Sequence, residues 1–244
     1  MNSFLSRTLW ILLITMMGSR SANPQGSSLS ADEVAIRLSL ADSRRAEEIS
    51  GYEAIRTYVL DNSRLGQHAE MTVRATVRYP DNKVFQILSM SGPEWMRGAM
   101  RRILDGERGR ADESGNERLR IRSGNYRFRN AKLVSFAGRD TYVVEIEPKT
   151  KADPLMLRGL LWVDAHDYAV AHFEGQMAGR VSFWAGTPLV TQSYKKLGSA
   201  WVPAANHSVS KSLLFGDTDL TVTFSEHVLL GLDRERADRA SGIR

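Results

Sequence analysis

Three patterned runs follow one another between Arg139 and Gly175, and no other stretch restricts the fold as strongly. In the first, Tyr142, Val144 and Ile146 fall on one side and Glu145 and Glu147 on the other, the period-two alternation of a half-buried strand. Pro148 closes it, and Asp153-Pro154 turns the chain. The second, Met156 to Val163, is apolar on both sides, with Leu157, Leu161 and Val163 on one and Leu160 and Trp162 on the other. Such a strand lies inside a sheet and expects cover on each face. The third, Tyr168 to Glu174, follows the short polar residues Asp164 to Asp167, which suit a tight hairpin. The product is an antiparallel meander with apolar surface facing inward.

The rest of the chain extends this pattern. Ser30-Ala31-Asp32-Glu33 has the spacing of a capping box, so a helix starts there, with Val34, Leu38, Ala41, Arg45 and Ile49 along one face and Gly51 as its end. Tyr52 to Leu60 reads as a strand. Glu70 to Tyr79 alternates most cleanly, Met71, Val73, Ala75, Val77 and Tyr79 opposing Glu70, Thr72, Arg74, Thr76 and Arg78. Pro80-Asp81-Asn82 turns it into a strand over Lys83 to Met90. The period then changes: after Pro93, the residues Trp95, Met96, Ala99, Met100 and Ile103 recur at helical spacing beside Arg97, Arg101 and Arg102. Gly106 to Gly115 reads as a loop, strands resume at Arg118, and Tyr126, Phe128, Val134 and Phe136 mark one bent strand or a pair. Val181 to Ala185, Leu189 to Lys195, Trp201 to Leu214 and Leu220 to Leu229 complete a set of about ten or eleven strands. The expected fold is α+β, mainly β: a strongly curved antiparallel sheet, an incomplete barrel, covered by helices.

At the amino end Arg7 precedes the apolar run Leu9 to Ile14, extended by Met16 and Met17 and followed by small residues, the form of a cleaved secretory signal peptide. The run is shorter than the roughly 20 apolar residues of a spanning helix, which disfavours an uncleaved anchor. The expected divisions are a signal peptide over 1–22, a linker over 23–29, a single domain over 30–232 and a charged tail over 233–244. With 42% hydrophobic and 25% charged residues, neither disorder nor a membrane bundle is indicated. The chain has no cysteine, so it forms no disulfide and carries no lipid on an amino-terminal cysteine. Net charge is +5, and loss of Arg7 and Arg20 with the signal peptide leaves +3. Between Arg97 and Lys132 eleven Arg or Lys face five Asp or Glu, with Arg118, Arg120 and Arg122 alternating along one prospective strand face. This is either a solvated face or a basic surface for anionic lipid headgroups or an acidic partner.

Motifs for catalysis are missing. The sequence contains no GxSxG, HExxH, phosphate loop or GxGxxG, and its five histidines are scattered. Asp164, His166 and Asp167 are the only dense set of metal-ligand types, and turn chemistry accounts for them more simply. Glu145 and Glu147 share a strand face, but alternation alone predicts exposed acids there. The export signal argues against nucleic acid as the partner of the basic charge. No enzyme activity, metal or cofactor is expected.

Several local signatures resemble the bacterial LolA/LolB-like superfamily, and within it the outer-membrane lipoprotein-sorting-protein-like members. They are Asn125-Tyr126-Arg127-Phe128, Tyr142 to Lys149, Gly159 with Leu161-Trp162-Val163-Asp164, then Asp167, Gly175, Ser182-Phe183-Trp184 and Trp201-Val202-Pro203. The resemblance runs from about Tyr52 to Leu229. It implies an incomplete barrel whose apolar cavity receives acyl chains of lipid or lipoprotein under a helical lid. Burial of each methylene removes it from water at about 0.8 kcal/mol, so such a cavity holds lipid without catalytic groups. On this reading Trp95, Met96, Met100 and Ile103 lie on the lid, while Val73, Val77, Tyr126, Phe128, Tyr142, Val144, Ile146 and Trp162 form the cavity wall. An arginine facing the cavity helps close the lid in the carriers, with Arg56, Arg74 and Arg78 as candidates here. The implied role is a periplasmic, monomeric, non-lipidated carrier serving membrane-bound donor and acceptor proteins in outer-membrane biogenesis. The alternatives are an envelope-stress regulator of the same fold and an envelope protein with a fully packed interior.

Overall fold

A computed structural model describes residues 29–79, 82–109, 119–150, 155–179, 187–211 and 216–231. The expected signal peptide, most of the linker, the Asp153-Pro154 turn, the strand at Val181 to Ala185 and the charged tail lie outside the described residues. Among these residues two helices, α1 (Ala31–Glu48) and α2 (Glu94–Gly109), accompany ten strands. The strands are β1 (Ile49–Asn62), β2 (Gln67–Arg78), β3 (Asn82–Ser91), β4 (Tyr126–Phe136), β5 (Arg139–Pro148), β6 (Leu157–Asp164), β7 (Val170–Met177), β8 (Leu189–Leu197), β9 (Ala200–Ser210) and β10 (Thr218–Gly231). All pair antiparallel in one sheet, in the order β3-β2-β1-β10-β9-β8-β7-β6-β5-β4. The sheet is open, with β3 and β4 as its edges.

The capping box forms as its spacing predicts. Glu33 N–H donates to Ser30 Oγ at 3.3 Å, and Ser30 N–H donates to the Glu33 carboxylate at 2.8 Å. Those bonds hold the Glu33 carboxyl below its ordinary value. Asp32 and Glu33 in the first turn and Arg45 in the last both suit the helix dipole. The helix ends at Glu48 rather than at Gly51, and Ile49 already belongs to β1, so α1 passes into the sheet without a loop. Gly51 serves the sheet instead: a Cβ there would lie 1.9 Å from the Val77 carbonyl oxygen of β2.

Cross-strand partners share a face, and one row can be followed through Met71, Tyr58, Val222, Asn206, Gln192, Phe173, Leu161 and Val144. Both helices pack on this face. Val34 and Leu38 of α1 meet Tyr126, Val144, Ile146, Leu161 and Phe173. Met96, Met100 and Leu104 of α2 meet Tyr58, Met71, Val73, Phe85 and Val222. Each such side chain contributes about 1.5–3 kcal/mol by leaving water. Between these two cores the row turns polar at Asn206 and Gln192, which bond to each other at 2.9 Å. A third, smaller core of Ile49, Tyr52, Val77, Ala200 and Val202 lies below the junction of α1 with β1.

Register shifts interrupt the pairing at six places and supply the curvature, since each added residue bends its strand. Tyr126 to Phe136 is one bent strand, with Asn130 at φ 55° in its bulge. The expectation for β6 changes on one side. Leu161 and Val163 enter the core, but Trp162 on the reverse face packs against the rings of Phe136 and His172, and Leu160 is exposed. The stretch from Leu119 to Arg122 is a turn rather than a strand, so Arg120 and Arg122 do not alternate along a sheet. The helix α2 runs on to Gly109, through the start of the expected loop. Among the described residues no helix is long and apolar enough to cross a membrane.

Candidate functional site

A half-open cavity of about 660 Å³ sits in the corner where α1 runs into β1. Asp42, Ser43, Arg45 and Ala46 of α1 form one wall, and Tyr79, Tyr194 and the Arg120 to Arg122 segment complete the rim. Ile49, Tyr52, Ala200, Val202 and Leu229 form the floor, largely the third core seen from above. Tyr79 follows β2 and Tyr194 lies on β8, four places away in the sheet order. In a flat sheet those strands would be about 19 Å apart at ~4.8 Å per step. Curvature brings them to one cavity.

The cavity is apolar below and polar at its mouth. Arg45 is held in place by Asp42, by the Asp167 carbonyl at 2.9 Å and by the Tyr168 carbonyl at 3.2 Å. Burial pushes the Asp42 carboxyl up, against the pull of Arg45 and Arg120. Burial likewise pushes Tyr79 up to about 12 and raises Tyr52 and Tyr194, so all three are neutral phenols at physiological pH. Among the described residues no hydrogen bond is made by the hydroxyl of Tyr79 or of Tyr194. Tyr79 remains 45% exposed, which fits a ring reached by water through the mouth yet walled by protein.

Residues expected to touch a ligand lie elsewhere. Met96 and Met100 are fully buried and Ile103 partly so, all against β1–β3 and β10, while Trp95 is exposed and donates its indole N–H to Gln67 at 2.7 Å. Val73 belongs to the same α2 core and Val77 to the small third core. Tyr126, Phe128, Tyr142, Val144 and Ile146 are packed in the α1 core, and Trp162 faces the opposite side of the sheet. None of these lines the cavity. Of the three basic residues, Arg118 lies outside the described residues, and Arg120 and Arg122 stand exposed at the cavity mouth. Tyr52, Tyr79, Tyr194, Asp42 and Arg45 carried no local signal, because only the folded sheet assembles them.

Among the arginines weighed for a lid contact, Arg56 is the one beneath a helix. It is buried between the rings of Phe85 and Phe224, 5.0 and 5.1 Å from their centres, and donates to Glu107 of α2 at 3.0 Å. Tyr58 and Tyr52 accept from it at 3.4 and 3.5 Å. Burial alone would lower its pKa, but Tyr52, Glu107 and Tyr58 together hold it above the ordinary arginine value. Arg56 thus ties α2 to the sheet, and through Tyr52 it reaches the cavity floor.

The other polar clusters have structural accounts. Asp164 is buried and receives Arg139, plus the N–H groups of His166 and Asp167 at 3.0 and 2.7 Å. Asp167 pairs with Lys196 at 2.7 Å and accepts from Trp201 at 2.9 Å. The turn is therefore filled by cations and backbone donors, and among the described residues no group of three His, Asp or Glu is placed to hold a metal. On the opposite face His172 contacts Ser193 Oγ at 3.0 Å and Glu174 at 2.9 Å. The imidazole lies 5.0 Å from both Phe136 and Trp162, and the neighbouring amides of β7 and β8 belong to the sheet ladder. It is a polar pin between β7 and β8.

These features define a class: an open, curved antiparallel sheet with two helices on one face and an amphipathic recess beside one of them. No protein-family profile matches the sequence, and no curated protein is measurably similar to it. Among solved structures the chain is similar to a LolA superfamily protein from Nitrosomonas europaea, with a TM-score of 0.44 and 12% identity over 85% of this chain and 97% of that one. It is also similar to a DUF1329 family protein from Desulfovibrio piger, with a TM-score of 0.41 and 11% identity over 82% and 91%. MucB, in its complex with MucA from Pseudomonas aeruginosa, overlaps with a TM-score of 0.26 and 11% identity over 80% and 93%. These are likenesses of fold alone. The open, curved sheet with two helices on one face agrees with the mainly β fold class expected from the sequence.

Proposed function

We propose that this chain is a periplasmic binding protein that shelters acyl chains of lipid or lipoprotein, without catalysing a reaction, and works as a monomeric carrier in outer-membrane lipoprotein sorting. The observation that carries this reading is the half-open cavity beside α1, whose floor of Ile49, Val202 and Leu229 offers an apolar seat under a wetter rim. Its volume of about 660 Å³ falls within the range of about 300–1,000 Å³ usual for small-molecule sites. The amino-terminal apolar run supplies the route of export. Donor and acceptor proteins at the two membranes follow from a carrier's need to load and unload.

Extraction of the purified protein with organic solvent, followed by mass spectrometry, should recover lipid, and delipidated protein should rebind acylated peptide. Recovery of no lipid together with failure to bind acylated peptide would end the carrier reading. Capture of an inner-membrane anti-sigma factor as the specific partner would instead move the chain to the envelope-stress regulators.

A further inference from the structure

The acyl-chain reading fills the floor of the cavity with hydrocarbon and leaves open how the polar end of a ligand is recognised. Among the described residues most polar groups of the wall are spent on the protein itself. Ser39 and Ser43 donate to the carbonyls of Ala35 and Ser39 within α1, at 2.9 and 3.1 Å, and Ser50 donates to the Leu230 carbonyl at 2.9 Å. Trp201 donates to Asp167, and the Tyr52 hydroxyl accepts from Arg56. The three cations of the wall, Arg45, Arg120 and Arg122, all have interaction partners in the protein. Tyr79 stands on the exposed rim, within reach of water. Tyr194 differs from all of these. It is half-buried on β8 and lines the cavity, and its hydroxyl has no hydrogen-bond partner among the described residues. Burial raises its pKa, so the phenol keeps its proton and has an O–H to donate.

Resting on the acyl-chain reading, we propose that the cavity takes neutral acyl esters, the ester carbonyl accepting a hydrogen bond from the Tyr194 hydroxyl while the hydrocarbon lies on Ile49, Val202 and Leu229. An ester carbonyl is a good acceptor and brings no charge into the recess. An ether of the same length covers the same floor but leaves the phenol O–H shielded from water without a strong acceptor, which costs binding free energy. A fatty-acid carboxylate in that place is a desolvated charge with no uncommitted cation in the wall, and the Asp42 carboxyl is close enough to Tyr194 to act on its hydroxyl. Tyr194 thus sets both the linkage and the charge of the ligand.

Delipidated protein is titrated calorimetrically with three ligands of one chain length: monopalmitoylglycerol, its ether analogue hexadecylglycerol, and palmitate. The ester should bind roughly tenfold more tightly than the ether, the penalty of an unmatched donor. Palmitate should bind no more tightly than the ester. In Tyr194→Phe, which removes a hydroxyl that makes no protein hydrogen bond, the ester-to-ether ratio should fall to about one with the thermal midpoint of the protein retained. Infrared spectra should show the ester carbonyl stretch moved to lower frequency on binding to the parent and restored in the variant. Equal affinity for ester and ether, a ratio that persists in Tyr194→Phe, an unmoved carbonyl band, or tighter binding of palmitate than of the ester overturns the ester inference and leaves the carrier reading standing. Binding of none of the three removes both.

Discussion

Two glycines show how closely the chain approaches itself where β6 crosses β7. A Cβ on Gly159 would stand 2.1 Å from the Glu174 carbonyl oxygen, and one on Gly175 would stand 2.1 Å from that of Arg158. Neither neighbour is a side chain that can swing away. Gly159→Ala should therefore destabilise the protein by about 1–3 kcal/mol in urea unfolding, as overpacking does. Gly231→Ala, with nothing within 4 Å of its Cβ, should stay within about 0.5 kcal/mol of the parent. Arg56 is the other decisive residue. Glu107→Gln removes the counter-charge and leaves the Arg56 guanidinium with neutral acceptors and ring faces, which should cost about 2–3 kcal/mol, the lower side of a broken buried pair because Glu107 retains some exposure. The double variant R56M/E107L should lose less than the two single losses combined, a coupling readable from a double-mutant cycle.

At the scale of elements, α1 and α2 divide the labour of covering one face. Helix α1 depends on its first turn: Ser30→Ala removes the cap and should cost about 1 kcal/mol. Amide exchange in α1 should quicken accordingly, because this helix packs on the core over β4–β7. The elements were mostly legible before the fold was known. Alternation located β2 and β5, the capping box located α1, and the change of period after Pro93 located α2. What was not legible was where each element stops. Gly51 looked like a helix terminator because a local reading sees only its conformational freedom; its place is set by the Val77 carbonyl across the sheet. Arg120 and Arg122 alternated like strand residues, yet they belong to the turn at the cavity mouth.

For the whole molecule, acid stability centres on the Asp164 turn that fastens β5, β6 and the start of β7. Burial would raise the Asp164 carboxyl, but the hydrogen bond from Arg139 and those from the Asp167 and His166 amides together lower it. A carboxyl lowered in the folded state stabilises the protein above its unfolded value, and that contribution disappears as pH falls through the folded value. The window lies below the ordinary aspartate value of 3.8. Asp164→Asn should lower stability at neutral pH and flatten the acid limb of a stability-against-pH curve. His227 acts at higher pH with the same slope: burial and Lys195 lower its pKa, so protonation below about 6.5 costs folded stability. The sequence by itself determined the mainly β class, the two amphipathic helices and the inward faces of the strands, since those follow from period and caps that any short window contains. Only the tertiary structure decided that Met96 and Met100 are core and that Tyr52, Tyr79 and Tyr194 meet at one cavity. Curvature accumulates over ten strands, and no window of sequence holds the bulges, glycine crossings and helix junction that together set it.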